Sequence, residues 1–190
     1  MYNSLFKNLA RHVNLSPEEL DLVSAKVQKT IIAKNHFLLQ EKGYSRMLYF
    51  VEKGCLRVFS TDDSGKETNV LFAPENWWAC DIYSFTNGKA SRFSIEALED
   101  SLLLGIHHHD LEELFHSVPK LERFFRILFQ NAFGLYQRRL SLVLSAPAKD
   151  RYKFFKRQYP TLELRISQKH IASYLGITTV FLSNIRKQRS

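Results

Sequence analysis

Short apolar runs and longer amphipathic periods divide this chain into segments of different texture. Ser16-Pro17-Glu18-Glu19 reads as a helix start, with Ser as N-cap, Pro at the first helical position and Glu placed to close a capping box. Leu20, Leu22, Val23 and Val27 extend its apolar side to about Lys29. Residues 30–32, 37–39, 47–51, 55–59, 70–72, 93–98 and 102–106 then read as strands. Gly43, Lys53-Gly54, Asp62-Asp63-Ser64-Gly65 and Asn87-Gly88 punctuate them. So many short strands, with no helix-length segment between them, predict an antiparallel barrel or roll.

Helical periodicity returns after His109. Residues 110–115 predict a short helix, and Pro119 opens a longer one in which Leu121, Leu128, Leu135 and Leu142 recur every seven residues. With Phe124, Phe125, Phe129, Ala132, Phe133 and Tyr136 in neighbouring rows, this seam exceeds what one small barrel needs. It predicts a helix shared with a twofold partner, its interface formed by Leu121, Phe125, Leu128, Ala132, Leu135 and Leu142. Ala146-Pro147-Ala148 ends that helix. Three further helical stretches follow: 149–159; 168–175, with Ser167 as N-cap; and 179 to about 189, with Thr178 as N-cap and Gly176-Ile177 at the break. The expected organisation is α+β: residues 1–118 as a roll with flanking helices, 119–146 as a dimerisation helix and 147–190 as a helix-turn-helix.

Charge sharpens the picture. Residues 1–146 hold 17 basic and 17 acidic residues, whereas 147–190 hold ten basic against two acidic, so the last 44 residues carry the whole net charge of +8. Such a segment attracts a polyanion by counterion release. Two cysteines, Cys55 and Cys80, build no disulfide framework and no metal pattern. The start of the chain opens no signal-peptide stretch, and no run of roughly 18 apolar residues suggests a membrane span. A cytoplasmic protein is expected.

In the last two helices, Ile171, Leu175, Ile177, Leu182 and Ile185 fall at spacings that form one core, with Ala172 small where the helices meet. That core turns Thr178, Thr179, Phe181, Ser183, Asn184 and Lys187 outward, with Arg186 and Arg189 near the end. Such a face suits a major groove, with Asn184 able to pair with adenine. Ser167, Gln168 and Lys169 at the preceding helix start suit phosphates. Double-stranded DNA is the expected partner.

These segments resemble the cyclic-AMP-receptor (CRP/FNR-type) family of bacterial transcription regulators. The resemblance rests on residues 48–58, the turn at 63–67, 81–85 followed by 91–96, and 166–177, and it spans nearly the whole chain. It implies a homodimer: a cyclic-nucleotide-binding-like jelly roll sensing a small effector, a central pairing helix, and helix-turn-helix units contacting DNA and, in the family, RNA polymerase. It places Asp81, Tyr83, Ser91 and Arg92 around an effector. Two departures are plain. The Gly-Glu and Arg-Ser pairs of cyclic-nucleotide binders are replaced by Cys80-Asp81 and Ser91-Arg92, so ordinary cyclic-AMP binding is not expected. On the recognition helix, Thr179, Val180 and Asn184 stand where relatives carry Arg, Glu and a second Arg, and the β-hairpin wing of many relatives is not expected.

His107-His108-His109 with Glu113 has the spacing of a metal-bearing barrel enzyme. The histidines straddle a strand end and a helix start, so polar residues at a helix entrance are the favoured reading and no metal or cofactor is expected. Trp77-Trp78 favours core packing over a ligand pocket. No catalytic constellation is recognisable. The reading is therefore a DNA-binding regulator, not an enzyme. A ligand-binding or protein-interaction module of the same architecture is the alternative, and a metal-dependent barrel enzyme the third.

Overall fold

A computed structural model describes residues 2–187. Arg189, expected beside the DNA-reading face, lies outside the described residues. The chain divides into two compact units: residues 1–60 with 71–129, and residues 61–70 with 130–190. This differs from the division expected at 118 and 146. The helix Lys120–Ser145 (α5) contributes to both units, and ten residues of a β-hairpin belong with the C-terminal helices.

The first unit opens with α1 (Asn3–Leu9), which the sequence pattern did not reveal, and α2 (Pro17–Lys26). Both halves of the α2 capping box form: Ser16 N–H donates to Glu19 Oε2 at 2.7 Å, and Glu19 N–H to Ser16 Oγ at 3.3 Å. The helix stops three residues short of Lys29. From Val27 the chain is in register with another strand from Val27↔Ile106 to Ile32↔Ser101, and this ladder takes the β-branched residues.

Eight strands follow: β1 (Val27–Ile32), β2 (Phe37–Leu39), β3 (Met47–Lys53), β4 (Leu56–Thr61), β5 (Glu67–Ala73), β6 (Trp78–Ala79), β7 (Ser94–Ala97) and β8 (Ser101–His107). Two four-stranded sheets run β1-β8-β3-β6 and β2-β7-β4-β5. Strand 1 thus lies beside 8, 2 beside 7, 3 beside 6 and 4 beside 5, which is a long hairpin rolled up on itself. Gly54 makes the β3–β4 corner. Its φ of +97° suits glycine, and a Cβ there would come within 2.8 Å of the Ser101 Cβ.

One face of the first sheet is covered by helices. Trp78 stacks near Phe50 (ring centroids 5.3 Å), Phe125 (5.4 Å) and Phe124 (6.1 Å). Its indole N–H donates to Asn8 Oδ1 at 3.1 Å, so the polar edge of a buried ring is satisfied. Leu5, Leu9, Val23, Leu111 and Leu121 complete this core. Helix α3 (Ile82–Asn87) interrupts the strands, and α4 (His108–Ser117) starts two residues earlier than the expected 110.

In the second unit, α6 (Ala148–Gln158), a 3-10 turn (Leu162–Leu164), α7 (Gln168–Leu175) and α8 (Thr179–Lys187) enclose a core of their own. Phe155, Tyr159 and Tyr174 meet pairwise at 5.4–5.9 Å. The hairpin tip is held by Asp62, which accepts from Ser64 N–H, Ser64 Oγ and Lys66 N–H at 3.0, 2.6 and 3.0 Å. Its far end is tied to α7. Asn69 N–H donates to Ser173 Oγ at 3.0 Å, Asn69 Nδ2 to the His170 carbonyl at 3.0 Å, and Ser173 Oγ to the Glu67 carbonyl at 2.8 Å.

Candidate nucleic-acid interface

The connection between α7 and α8 follows from its residues. Gly176 sits at φ +66°, the left-handed position that closes a helix. Ile177 N–H bonds back to the Ala172 carbonyl at 3.0 Å and Gly176 N–H to that of Ser173 at 3.2 Å, the paired bonds of a Schellman end. Thr178 restarts the helix, its Oγ1 accepting from Phe181 N–H at 3.1 Å. Ser167 Oγ caps α7 by accepting from His170 N–H at 3.4 Å. Ile171, Ala172, Leu175, Leu182 and Ile185 are buried between the elements, and Ile177 is half-buried.

This core leaves Thr178, Thr179, Phe181, Asn184 and Lys187 exposed on α8 and in its cap, with Ser183 half-buried; Ser167, Gln168 and Lys169 are exposed at the start of α7. Arg186 is turned toward its own unit, its Nε 3.1 Å from Glu163 Oε1. Glu163 also accepts from the Tyr152 hydroxyl and lies 3.8 Å from Lys156 Nζ. Sequence reasoning missed Val180, which is 70% exposed beside Phe181 at 49%. Its place one residue before Phe181 on an outward turn was the available signal.

Behind this face, Arg139 of α5 binds three carbonyls. Its Nη1 donates to Val70 at 2.8 Å, and its Nη2 to Asn69 at 2.8 Å and Tyr174 at 3.0 Å. The guanidinium lies 4.0 Å from the centre of the Tyr174 ring. Burial pushes the Tyr174 phenol above its ordinary range, while Arg139 pulls the other way. No sequence pattern marks this clasp, because its acceptors are backbone atoms.

Two members of the expected partner-facing seam lie inside the first unit. Leu121 and Phe125 are 1% and 3% exposed and belong to the core of the first unit, and Leu128 is packed against it. Ala132, Leu135 and Leu142 are half-buried. The apolar side chains α5 turns to solvent are instead Phe129, Phe133, Tyr136, Leu140 and Val143, in steps of four and three, with Leu144 alongside. The leucine repeat therefore runs beside the exposed seam rather than along it.

The four effector candidates divide into two buried and two exposed residues. Asp81 and Ser91 are buried together, with Ser91 Oγ donating to Asp81 Oδ2 at 2.6 Å, while Asp81 Oδ1 caps α3 by accepting from Tyr83 N–H at 3.0 Å and Ser84 N–H at 3.3 Å. Tyr83 and Arg92 are exposed. Elsewhere in the roll, Arg57 and Glu96 form a buried ion pair across β4 and β7. Of the histidine triplet, His107 caps α4, its Nδ1 accepting from His109 N–H at 3.2 Å. His109, Asp110 and Glu113 do lie together, but Lys26 Nζ already neutralises the two carboxylates, at 2.9 Å from Asp110 and 2.5 Å from Glu113. A metal-dependent barrel chemistry is not supported by that arrangement. Among the described residues no helix is long and apolar enough to cross a membrane.

Residues 29–118 match the family model of the cyclic nucleotide-binding domain. Among curated proteins no sequence matches the chain significantly. Solved structures resemble it in fold. FixK2 from Bradyrhizobium japonicum is 17% identical, with 85% of this chain and 83% of that chain covered and a TM-score of 0.76. CLP of Xanthomonas campestris, a c-di-GMP responsive global regulator, is 15% identical over 91% of both chains at a TM-score of 0.69. A transcriptional regulator of the CRP/FNR family from Eubacterium rectale is 16% identical, covering 92% of this chain and 83% of that chain at 0.70. Residues 29–118 are thus similar to a cyclic nucleotide-binding domain, and the fold of the chain is similar to that of CRP/FNR-type structures.

Proposed function

We propose that the protein is a homodimeric, DNA-binding transcription regulator of the cytoplasm, its β-roll an effector-sensing domain and its α7–turn–α8 segment a helix-turn-helix. One observation carries the reading: the outward face of α8 is open to solvent, in the 44-residue segment that holds the entire net positive charge. Ser167, Gln168, Lys169 and Thr178 serve the phosphate backbone, and Thr179, Phe181, Ser183 and Asn184 the base edges. Lys187 adds a phosphate contact. Arg186 does so only on leaving Glu163. Pairing of two copies through the exposed α5 seam sets two recognition helices about 34 Å apart on a palindrome. By family resemblance such a dimer also meets RNA polymerase. The roll's effector is a small molecule held differently from cyclic AMP in the family's usual pocket, because Asp81 and Ser91 satisfy one another.

Selection from a random duplex pool tests this reading. A regulator enriches particular duplexes at least about a thousandfold over random sequence, with affinity falling steeply as salt rises. Lys187→Ala weakens all duplexes alike and lowers the salt slope by about one, whereas Asn184→Ala relaxes preference at one base pair. Binding without any sequence preference favours the alternative, a ligand-binding or protein-interaction module of the same architecture.

A further inference from the structure

Resting on the DNA-binding reading above, we infer that α8 selects A·T pairs by the 5-methyl group of thymine, with Val180 and Phe181 as the methyl-reading side chains. From Thr178 to Ile185 the segment carries no charged residue. Hence no guanidinium is placed for guanine O6 and N7, and no carboxylate for cytosine N4, in the two turns that enter a major groove first. Arg186 follows only in the last turn and is engaged by Glu163. What those turns offer is apolar: Val180 at 70% and Phe181 at 49% exposure, directly after Thr179.

Helical spacing adds a second feature. Asn184 stands four residues after Val180 and three after Phe181, so all three share one face of α8. An amide between two apolar groups matches an A·T pair, whose adenine offers N6 and N7 while its thymine offers a methyl. The surrounding charge favours a nucleic-acid occupant over a protein one. Lys169 and Lys187 are exposed nearby, and residues 147–190 hold ten basic residues against two acidic. A duplex supplies polyanion and methyl groups in a single surface.

The test uses the full chain and the duplex it selects from a random pool. Selected sites carry adjacent A·T pairs, and replacing their thymidines with deoxyuridine removes only the methyl groups. Each such replacement weakens binding about fourfold, the worth of one buried methyl-sized group, while deoxyuridine outside the protected site changes nothing. Val180→Ala with Phe181→Ala abolishes the difference between the thymidine and deoxyuridine duplexes while leaving the salt slope intact. Phe181→Leu, still apolar, retains most of that difference. Equal affinity of the wild-type protein for both duplexes, or selection of G·C pairs under α8, overturns the inference and leaves the regulator reading standing. Absence of any preferred duplex overturns both. Capture of a protein partner through Val180 and Phe181, with DNA binding unaffected by their loss, assigns the face to protein docking and overturns the inference as well.

Discussion

Ser91 donates its hydroxyl to Asp81 at 2.6 Å, and the two side chains are buried against each other. The carboxylate that the resemblance places near an effector is therefore spent on its own loop: it caps α3 and holds Ser91 in the segment leading to β7. Removing it costs folding stability. Asp81→Ala lowers the unfolding free energy by about 1–2 kcal/mol, the usual worth of a helix N-cap, and Asp81→Asn recovers much of that loss. Denaturant titration measures both. Millimolar cyclic AMP leaves the melting temperature unchanged, since a ligand bound well below its concentration would raise it.

Dimer formation is expected to depend on the aromatic and leucine positions that α5 leaves exposed. Phe133→Glu together with Leu140→Glu converts a dimer to a monomer by sedimentation or light scattering. Leu135→Glu, on a half-buried row beside the seam, has the smaller effect on mass. Monomers from Leu135→Glu but not from the Phe133/Leu140 pair would return the interface to the leucine row.

Arg139 supplies charged donors to carbonyls of Val70, Asn69 and Tyr174. Arg139→Met leaves those acceptors wanting and destabilises the second unit by about 2–3 kcal/mol. Hydrogen exchange reads the change directly: amides of α7 lose protection, while those of β1 and β8 in the first unit keep theirs.

Lys26 bridges α2 to Asp110 and Glu113 on α4. Its bonds to Glu113 and then Asp110 raise the Lys26 ammonium above its ordinary range, and the same lysine holds Glu113 below the usual carboxylate range. The Glu113 contribution is present above the ordinary carboxylate pKa and fades as acid protonates it through the lowered value. The Lys26 contribution is full below the ordinary lysine pKa and fades only in strong alkali. Lys26→Met therefore lowers the melting temperature equally at about pH 6 and about pH 8, and the difference from wild type shrinks in acid.

Elements with a local signature were legible in the sequence. The Ser16 capping box, the strands cut by Lys53-Gly54 and Asp62 to Gly65, and the Ser167, Gly176 and Thr178 punctuation all act within a few residues, and each forms where expected. Helices α1 and α3 were not legible, being seven and six residues long. Segments that short draw their stability from tertiary contacts. On α5 the repeat of leucines did not separate residues packed in the first unit from those turned to solvent. A 26-residue helix that is apolar on more than one side supports two heptad registers, and the leucine one is buried only at its start, at Leu121, and half-buried beyond it. The ties between Asn69, Ser173, Glu67 and His170 span 101 to 106 positions and use backbone groups, so no periodicity announces them. On α8, burial of Leu182 and Ile185 was enough to orient most of the outer face, with Val180 missed, Ser183 half-buried and Arg186 turned to Glu163 instead.

The hairpin tip at residues 61–70 is continuous with the roll in sequence yet belongs by its contacts to the C-terminal helices. No single cut can therefore release either half intact. A fragment ending at α5 would expose the fully buried Asn69 to water and strip Glu67 of its serine donor, and a fragment beginning there would lack the strand that grips α7. Expression of separate pieces should yield less soluble material than the undivided chain, and grafting residues 61–70 onto the C-terminal piece is the repair that this arrangement prescribes.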